Sequence, residues 1–188
     1  MRSRQLRQIS ICQFSSCSWS LQEDLSRYKT LGYESIGIWR RKIEDYGIEA
    51  AIDLIYESKM QVSSLHWSGG FTGDGQSYDD ALNDAIQAIH LASKLQANCL
   101  LIHPGSQNGH LVHHASRLFN DALNELLPIA EALDVQLVVE PILDQRNSPF
   151  TFYSSIDQTI ELIKTHPTLG IALDLYHVGM DSAAFERI

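Results

Sequence analysis

Six continuous apolar segments recur along the chain, and a segment with helical periodicity follows each of the first five. The apolar segments cover residues 8–15, 34–39, 61–67, 99–103, 136–141 and 169–177. Continuous apolar runs, as opposed to alternating apolar and polar residues, are typical of parallel strands that are covered on both faces. A strand–helix rhythm repeated in one direction therefore predicts an α/β fold with a parallel sheet.

The predicted helices carry recognisable local signals. Ser20 and Glu23 have the spacing of a capping box, and Ser155 and Gln158 repeat that spacing before the last complete helix. In the fourth helix, predicted over residues 111–133, we expect a bend or break at a proline, because proline cannot donate a hydrogen bond to the preceding turn.

The composition limits both the size of the fold and its partners. At 188 residues, 44% hydrophobic and 20% charged, the chain is long enough for one domain with a sizeable core. Its 14 basic and 23 acidic residues give a net charge of −9, so we expect neither nucleic acid nor a membrane surface as a partner. No apolar run reaches the ~18 residues of a membrane span. Three cysteines without a CxxC pair suggest reduced thiols and a cytoplasmic location.

Polar or aromatic side chains lie at the carboxyl end of almost every predicted strand. They are Trp39, His66, His103, Glu140 and the pair Asp174 and His177. In a doubly wound sheet the functional residues gather at one switch point, whereas in a barrel every strand end faces the same mouth. Contributions from five strands therefore favour a (β/α) barrel. The sequence has no GxGxxG motif after the first strand and no Walker A motif that would indicate a nucleotide-binding sheet.

Two imidazoles and two carboxylates, together with His177, would converge at that mouth. Mixed nitrogen and oxygen ligation suits Zn²⁺, Mn²⁺, Co²⁺ or Fe²⁺ better than Ca²⁺. Grouped carboxylates also repel one another unless a cation neutralises them. Each residue has a structural alternative: a histidine can fill the barrel rim, Glu140 can pair with Arg146, and Asp174 can cap the next helix. Five such residues at strand ends together favour a functional site.

Five short motifs, in this order, resemble the xylose isomerase-like TIM barrel superfamily of sugar phosphate isomerases and epimerases, inosose dehydratases and endonuclease IV. They are ESIGIWRRK, SSLHW, LIHPGS, VVEP and LDLYH. The resemblance covers nearly the whole chain as the first six of eight βα units. It implies a single domain over residues 1–188 that forms an incomplete barrel without the last two units. We therefore expect a fragment that is poorly stable or inactive alone, although dimerisation could close the gap.

The resemblance also implies roles for individual residues. Glu140 and Asp174 match metal ligands, and Glu140 matches an acid/base carboxylate that moves a proton next to a carbonyl. His177 matches a residue that contacts substrate in epimerases, where we expect it to support catalysis, but binds metal in the endonuclease branch. The substrate-binding residues implied are His66, Trp67, His103 and His177. In the endonuclease branch His66 and His103 match metal ligands instead, and Trp39 could add an apolar face for a sugar ring.

These expectations define a preferred function and two alternatives. We expect a metal-dependent sugar or sugar-phosphate isomerase or epimerase that acts by proton transfer next to a carbonyl. It would use a divalent metal (Mn, Zn, Co or Mg) and a small sugar or polyol as substrate, and assembly into a homo-oligomer stays open. The alternatives are an endonuclease IV-like phosphodiesterase, which the negative charge disfavours, and a non-catalytic degenerate barrel.

Two further segments lie near the predicted mouth. Arg40, Arg41 and Lys42 follow the second strand. They could bind a substrate phosphate, but we favour a solvated basic run. The glycine-rich loop 68–77 suits a mobile lid over the mouth.

Overall fold

The computed structural model describes residues 9–73, 75–142 and 150–178, and in them six parallel strands form one sheet. The strands are β1 (Ser10–Cys12), β2 (Ser35–Trp39), β3 (Gln61–Gly69), β4 (Cys99–His103), β5 (Gln136–Val139) and β6 (Gly170–Ile171). Their order in the sheet is their order in the chain. A doubly wound sheet would reverse its strand order at a switch point, so the predicted α/β, barrel-like fold class is confirmed. Within the described ranges, β1 and β6 each pair with a single strand.

Seven α-helices are described, and most of them cover the sheet between consecutive strands. They are α1 (Leu21–Thr30), α2 (Arg40–Tyr46), α3 (Ile48–Ser58), α4 (Tyr78–Lys94), α5 (Val112–Ala132), α6 (Ile156–Thr165) and α7 (Leu175–Val178). A 3-10 turn, Gln13–Ser16, follows β1. None of the helices in the described part of the chain is long and apolar enough to cross a membrane.

The core lies between the sheet and its helices. Branched side chains of the central strands are fully buried, and alanines on one face of α4 pack against them. The fully buried alanines are Ala81, Ala85, Ala88 and Ala92. Such small residues let the helix backbone approach β3 and β4 closely, so the third and fourth strand ends have a firmly packed base.

Local signals in the sequence locate the helix starts well. The hydroxyl of Ser20 accepts a hydrogen bond from the backbone N–H of Glu23, whose carboxylate accepts the N–H of Ser20, so this capping box is confirmed. The hydroxyl of Ser155 likewise accepts the N–H of Gln158. Helix α5 continues through Pro128, so the helix is not broken there, and a bend at this residue stays a prediction.

The sixth strand is shorter than predicted. The segment 169–177 was expected to be a single strand, but pairing with β5 covers only Gly170 and Ile171, followed by one further bond from the N–H of Ala172. Because β6 pairs with one neighbour alone in the described residues, little holds the following residues extended, and the chain turns into the short helix α7.

The basic run after β2 is helical, which the sequence analysis did not predict. Helix α2 begins at Arg40, directly after the strand, and ends at Tyr46, and the φ of 97° at the following Gly47 suits glycine. Ile43 is fully buried, so the run is amphipathic. The expectation of a solvated run holds for Arg41, which is exposed, but not for Arg40 and Lys42.

Candidate active site

The carboxyl ends of β4 and β5 bring two predicted site residues together. His103 is the last residue of β4, and Glu140 follows the last residue of β5. The residues before them, Ile102 and Val139, are register partners. His103 and Glu140 therefore occupy neighbouring positions on adjacent parallel strands, where side chains point to the same face.

His66 and Trp67 lie in an irregular part of β3. The strand pairs with β2 up to His66, and its register against β4 shifts between Leu65 and Ser68. Strand irregularities of this kind re-aim side chains and are frequent beside active sites. Both residues make ring contacts with the aromatic side chains at the strand ends.

Four aromatic side chains, Phe14, Trp39, Trp67 and Phe150, form an aromatic wall beside the two histidines. Phe14 stacks on Trp67 with 5.7 Å between ring centroids and lies 5.2 Å from Trp39. Phe150 meets Trp67 edge to face at 5.2 Å. Offset and edge-to-face pairs are favourable ring geometries, so the wall is a built apolar surface at the mouth. Sequence reasoning named both tryptophans but missed both phenylalanines.

His66 is held as a neutral imidazole. Its Nε2 lies 2.9 Å from the hydroxyl of Ser64 and 3.9 Å from the thiol of Cys12. Burial lowers the pKa of His66 to about 4. Gly37 on β2 leaves room for this arrangement, because a Cβ at that position would lie 2.9 Å from Ser64 Oγ and 3.4 Å from His66 Nε2.

His103 is the most deeply buried of the predicted site residues whose side chains the structure describes, with 6% of its surface exposed. Its ring meets Trp67 edge to face at 5.7 Å and Phe150 at 5.8 Å. Burial, with a further contribution from nearby His66, lowers its pKa to about 4. Its Nδ1 is buried and has no hydrogen-bond partner among the residues the structure describes. A buried polar atom without a partner requires an explanation, and a bound ligand would supply one.

The charge of Glu140 acts on a residue at the end of β1. The pKa of the Cys12 thiol is raised mainly by burial, and the negative charges of Cys17 and Glu140 add to the rise. Cys12 lies on β1 and Glu140 lies beyond β5, so these residues are far apart in the strand order. A charge that acts between these two residues is consistent with a sheet that curves as in a barrel.

Asp174 and His177 are placed differently from the prediction. Asp174 is exposed, lies beyond the end of β6, and its carboxylate accepts the N–H of Tyr176 at 2.8 Å. The helix-capping alternative for this residue therefore describes its main contact. His177 lies in α7, and its side chain falls outside the described residues. Their proposed metal and substrate roles stay predictions.

The residues that the structure covers do not by themselves assemble a metal centre. The carboxylates of Glu140 and Asp174 have the chemistry of divalent-metal ligands. Among residues 9–73, 75–142 and 150–178, however, no three His, Cys, Asp or Glu side chains converge as a metal site. Any remaining donors would have to come from elsewhere, so the metal prediction depends on residues beyond this set.

Arg40 supports the strand end rather than offering its charge to a ligand. Its guanidinium donates to both carboxylate oxygens of Asp84, at 2.7 and 2.8 Å, and to the carbonyl of Trp67 at 3.0 Å. Burial alone would raise the pKa of Asp84, but hydrogen bonds from Arg40 and Ser68 lower it below its usual range. The pair fixes the backbone at Trp67 and leaves Arg40 poorly suited to a substrate phosphate.

The first part of the glycine-rich loop is packed against β4. The N–H of Gly70 donates to the carbonyl of His103, and the N–H of Phe71 donates to the carbonyl of Pro104, both at 3.0 Å. Phe71 is 1% exposed. Gly69 must be glycine, because a Cβ there would lie 1.8 Å from the carbonyl oxygen of His103. The lid expectation therefore does not apply to this part of the loop.

The six parallel strands in sequential order, with helices between them, place the chain in the class of (β/α) barrel-like proteins, whose sites lie at the carboxyl ends of the strands. A comparison with protein families gives the narrower classification: the chain belongs to the xylose isomerase-like TIM barrel family, whose model matches residues 25–187. No curated protein matches the chain.

Solved structures share the fold at low sequence identity. Protein SMc04130 from Sinorhizobium meliloti 1021 has a TM-score of 0.86 and 23% identity, over 97% of this chain and 68% of that one. The 3-keto-D-glucoside 4-epimerase YcjR from E. coli has a TM-score of 0.78 and 13% identity, over 96% of this chain and 74% of that one. The IolI protein with a bound zinc atom has a TM-score of 0.76 and 19% identity, over 90% of this chain and 63% of that one.

Proposed function

We propose that this chain is a metal-dependent sugar or sugar-phosphate isomerase or epimerase that transfers a proton at the carbon next to a carbonyl. One observation carries the proposal: Glu140 occupies the strand-end position next to a buried, neutral His103, whose Nδ1 lacks a partner within the described residues. A base beside a hydrogen-bonding group for a substrate oxygen is what proton abstraction next to a carbonyl requires. The family and the similar epimerase fold are consistent with it.

The protein's own groups would divide the work as follows. Glu140 takes the proton from the carbon next to the carbonyl. His103 forms a hydrogen bond with a substrate oxygen through its free Nδ1, and its low pKa keeps the ring neutral at pH 7. Trp67, with the rest of the aromatic wall, covers an apolar face of the substrate and excludes water.

The remaining predicted residues would act at the edge of the substrate. His66, whose Nε2 is already engaged by Ser64, would line the pocket. His177 would orient a substrate oxygen. Glu140 and Asp174 would hold the divalent metal, and a bound metal would polarise the substrate carbonyl or hydroxyl oxygen.

Proton exchange with solvent tests the proposal without knowledge of the product. The protein is incubated in D₂O with Mn²⁺, Co²⁺ or Zn²⁺ and a panel of ketohexoses, their phosphates and 3-keto-D-glucoside, and deuterium at the carbon next to the carbonyl is followed by NMR. We expect incorporation that Glu140→Gln abolishes. The matched control is Glu131→Gln on the exposed surface of α5, which should retain the exchange. Exchange that survives in Glu140→Gln would show that the base was wrongly assigned.

The metal assignment has its own measurement. Titration calorimetry with Mn²⁺ should give a binding signal that weakens in Asp174→Asn, because a ligand carboxylate is lost. Unchanged Mn²⁺ affinity in that variant would remove Asp174 from the site.

A phosphodiesterase is the second candidate, favoured by the presence of both His66 and His103 at the mouth. The engagement of His66 Nε2 by Ser64 and Cys12 weakens it. Hydrolysis of bis(p-nitrophenyl) phosphate by the same metal-loaded protein, without deuterium exchange in the sugars, would favour this candidate instead.

A further inference from the structure

A buried polar cluster lies behind the 3-10 turn that carries Phe14. It consists of Gln13, Ser16, Asp24, Tyr28 and Lys42, and we call it the Asp24 cluster. Asp24 is fully buried and Lys42 is 6% exposed, although charged side chains are almost never buried without a specific partner. The proposed chemistry uses neither of them.

The carboxylate of Asp24 accepts three hydrogen bonds. The ammonium of Lys42 donates to it at 2.6 Å, the amide of Gln13 at 2.8 Å and the hydroxyl of Ser16 at 2.6 Å. Lys42 also donates to the backbone carbonyl of Ser16 at 2.8 Å, and the Tyr28 hydroxyl contacts the Ser16 hydroxyl. Both ends of the 3-10 turn are thus tied to one ion pair between α1 and α2.

The same cluster reaches the second strand end. The side-chain carbonyl of Gln13 accepts the backbone N–H of Trp39 at 2.9 Å. Phe14 lies between the two tied residues of the turn and contacts Trp39, His66 and Trp67. The cluster therefore fixes the backbone of two members of the aromatic wall, Phe14 and Trp39.

A gain in stability does not explain such a pair. Removing two charges from water costs several kcal/mol per ion, and well-packed apolar residues of similar size are often equally stable or more so. Directional hydrogen bonds can instead select one conformation of a short turn, whereas apolar contacts are non-directional. The turn itself has no side-chain cap, so its conformation depends on these contacts.

We propose that Asp24 and Lys42 are positioning residues that hold Phe14 and Trp39 in the aromatic wall, and thereby shape the apolar surface on which the substrate lies. The positioning of Phe14 and Trp39 is inferred from the geometry alone. The effect on the surface that the substrate contacts rests on the proposed function. Lys42 consequently has a use within the protein that excludes a role as a phosphate ligand.

Tryptophan fluorescence can report the position of Phe14. The chain has three tryptophans, and in a Trp19→Phe background only Trp39 and Trp67 remain, both in contact with Phe14. Acrylamide quenching of that protein is compared with quenching after Phe14→Ala, after the apolar exchange Asp24→Leu with Lys42→Met, and after all three changes. The matched control is Asp45→Leu with Arg41→Met, an exposed pair 4.0 Å apart on α2.

We expect the apolar exchange to raise quenching as much as Phe14→Ala does, and the triple variant to show no further rise, because the changes act on one contact. The exposed control pair should leave quenching unchanged. Quenching equal to that of the background protein after the apolar exchange, or additive effects in the triple variant, would overturn the proposal. If Asp24 and Lys42 only stabilised the fold, replacing them would lower the free energy of unfolding of the variant and leave the quenching of its native state unchanged.

Two further measurements keep the result interpretable. If the apolar exchange prevents folding, Ser16→Ala removes one tie to the turn and leaves the ion pair in place, and it should raise quenching part of the way. An unchanged value in that folded variant would also overturn the proposal. In the deuterium-incorporation assay, the double substitution Asp24→Leu with Lys42→Met should raise KM more than it lowers kcat. Absence of any exchange activity would count against the proposed function, while the quenching result would still test the positioning role.

Discussion

The neutral state of His103 predicts a loss of stability in mild acid. Its pKa falls from an ordinary value of 6.5 to about 4 in the folded protein. Between these values the unfolded chain binds more protons than the folded chain, so stability rises with pH there and falls as pH is lowered. The stabilisation is complete above pH 6.5 and is lost progressively toward pH 4.

The magnitude follows from proton linkage. Between about pH 7.5 and about pH 5 the unfolded imidazole takes up nearly one proton, while the buried one takes up about a tenth of a proton. The difference corresponds to about 2 kcal/mol of unfolding free energy. Burial lowers the pKa of His66 to about 4 as well, so the whole protein should lose more stability than His103 alone contributes.

Urea unfolding at the two pH values, followed by circular dichroism, isolates the contribution of His103. In His103→Phe, whose ring can pack against Trp67 and Phe150, the loss on acidification should be smaller than in the unchanged protein by about 2 kcal/mol. The control is His90→Phe, because His90 is exposed on α4 and should leave the pH dependence as it was. An equal loss in His103→Phe and the unchanged protein would refute the reasoning.

Two further substitutions test the support of the strand ends. Gly69→Ala should cost more than ~3 kcal/mol or prevent folding, because the new Cβ would meet the carbonyl oxygen of His103 at 1.8 Å. Gly75 also has a positive φ, 86° against 141° for Gly69, but no atom lies within 4 Å of a Cβ built there, so Gly75→Ala should cost about 1–2 kcal/mol by the same unfolding measurement. Arg40→Met leaves the carboxylate of Asp84 without its bidentate partner and should cost about 1–3 kcal/mol, and an unchanged urea midpoint would show that the pair is not stabilising.

Local rules were enough to predict most of the fold. The fourth strand was predicted with its observed bounds, and the serine caps were found, because these features depend on neighbours in sequence. The sixth strand was predicted too long and the helix after β2 was missed. The length of β6 depends on which strands flank it, and the helix depends on the burial of Ile43 and Lys42 by distant residues, so neither is encoded locally.

The site was predictable as a set of strand ends but not as a surface. His66, His103 and Glu140 stand out in the sequence because a polar residue ends an apolar run. The structure places them in the second half of β3, at the end of β4 and directly after β5, and their roles stay predictions. Phe14 was hidden because its strand was expected to continue to residue 15, and no signal marks Phe150. The pairing of Asp24 with Lys42 joins residues 18 positions apart, and pattern analysis cannot anticipate such a choice of partner.

The register between β4 and β5 constrains how this family member can diverge. Ile102 pairs with Val139, and side chains alternate faces along a strand, so one residue gained or lost within β5 would turn Glu140 away from the mouth. Point substitutions around the site preserve that geometry, whereas a one-residue insertion anywhere in Gln136–Val139 erases it. Relatives that keep the chemistry should therefore show insertions and deletions in the loops after the strands and none inside β5.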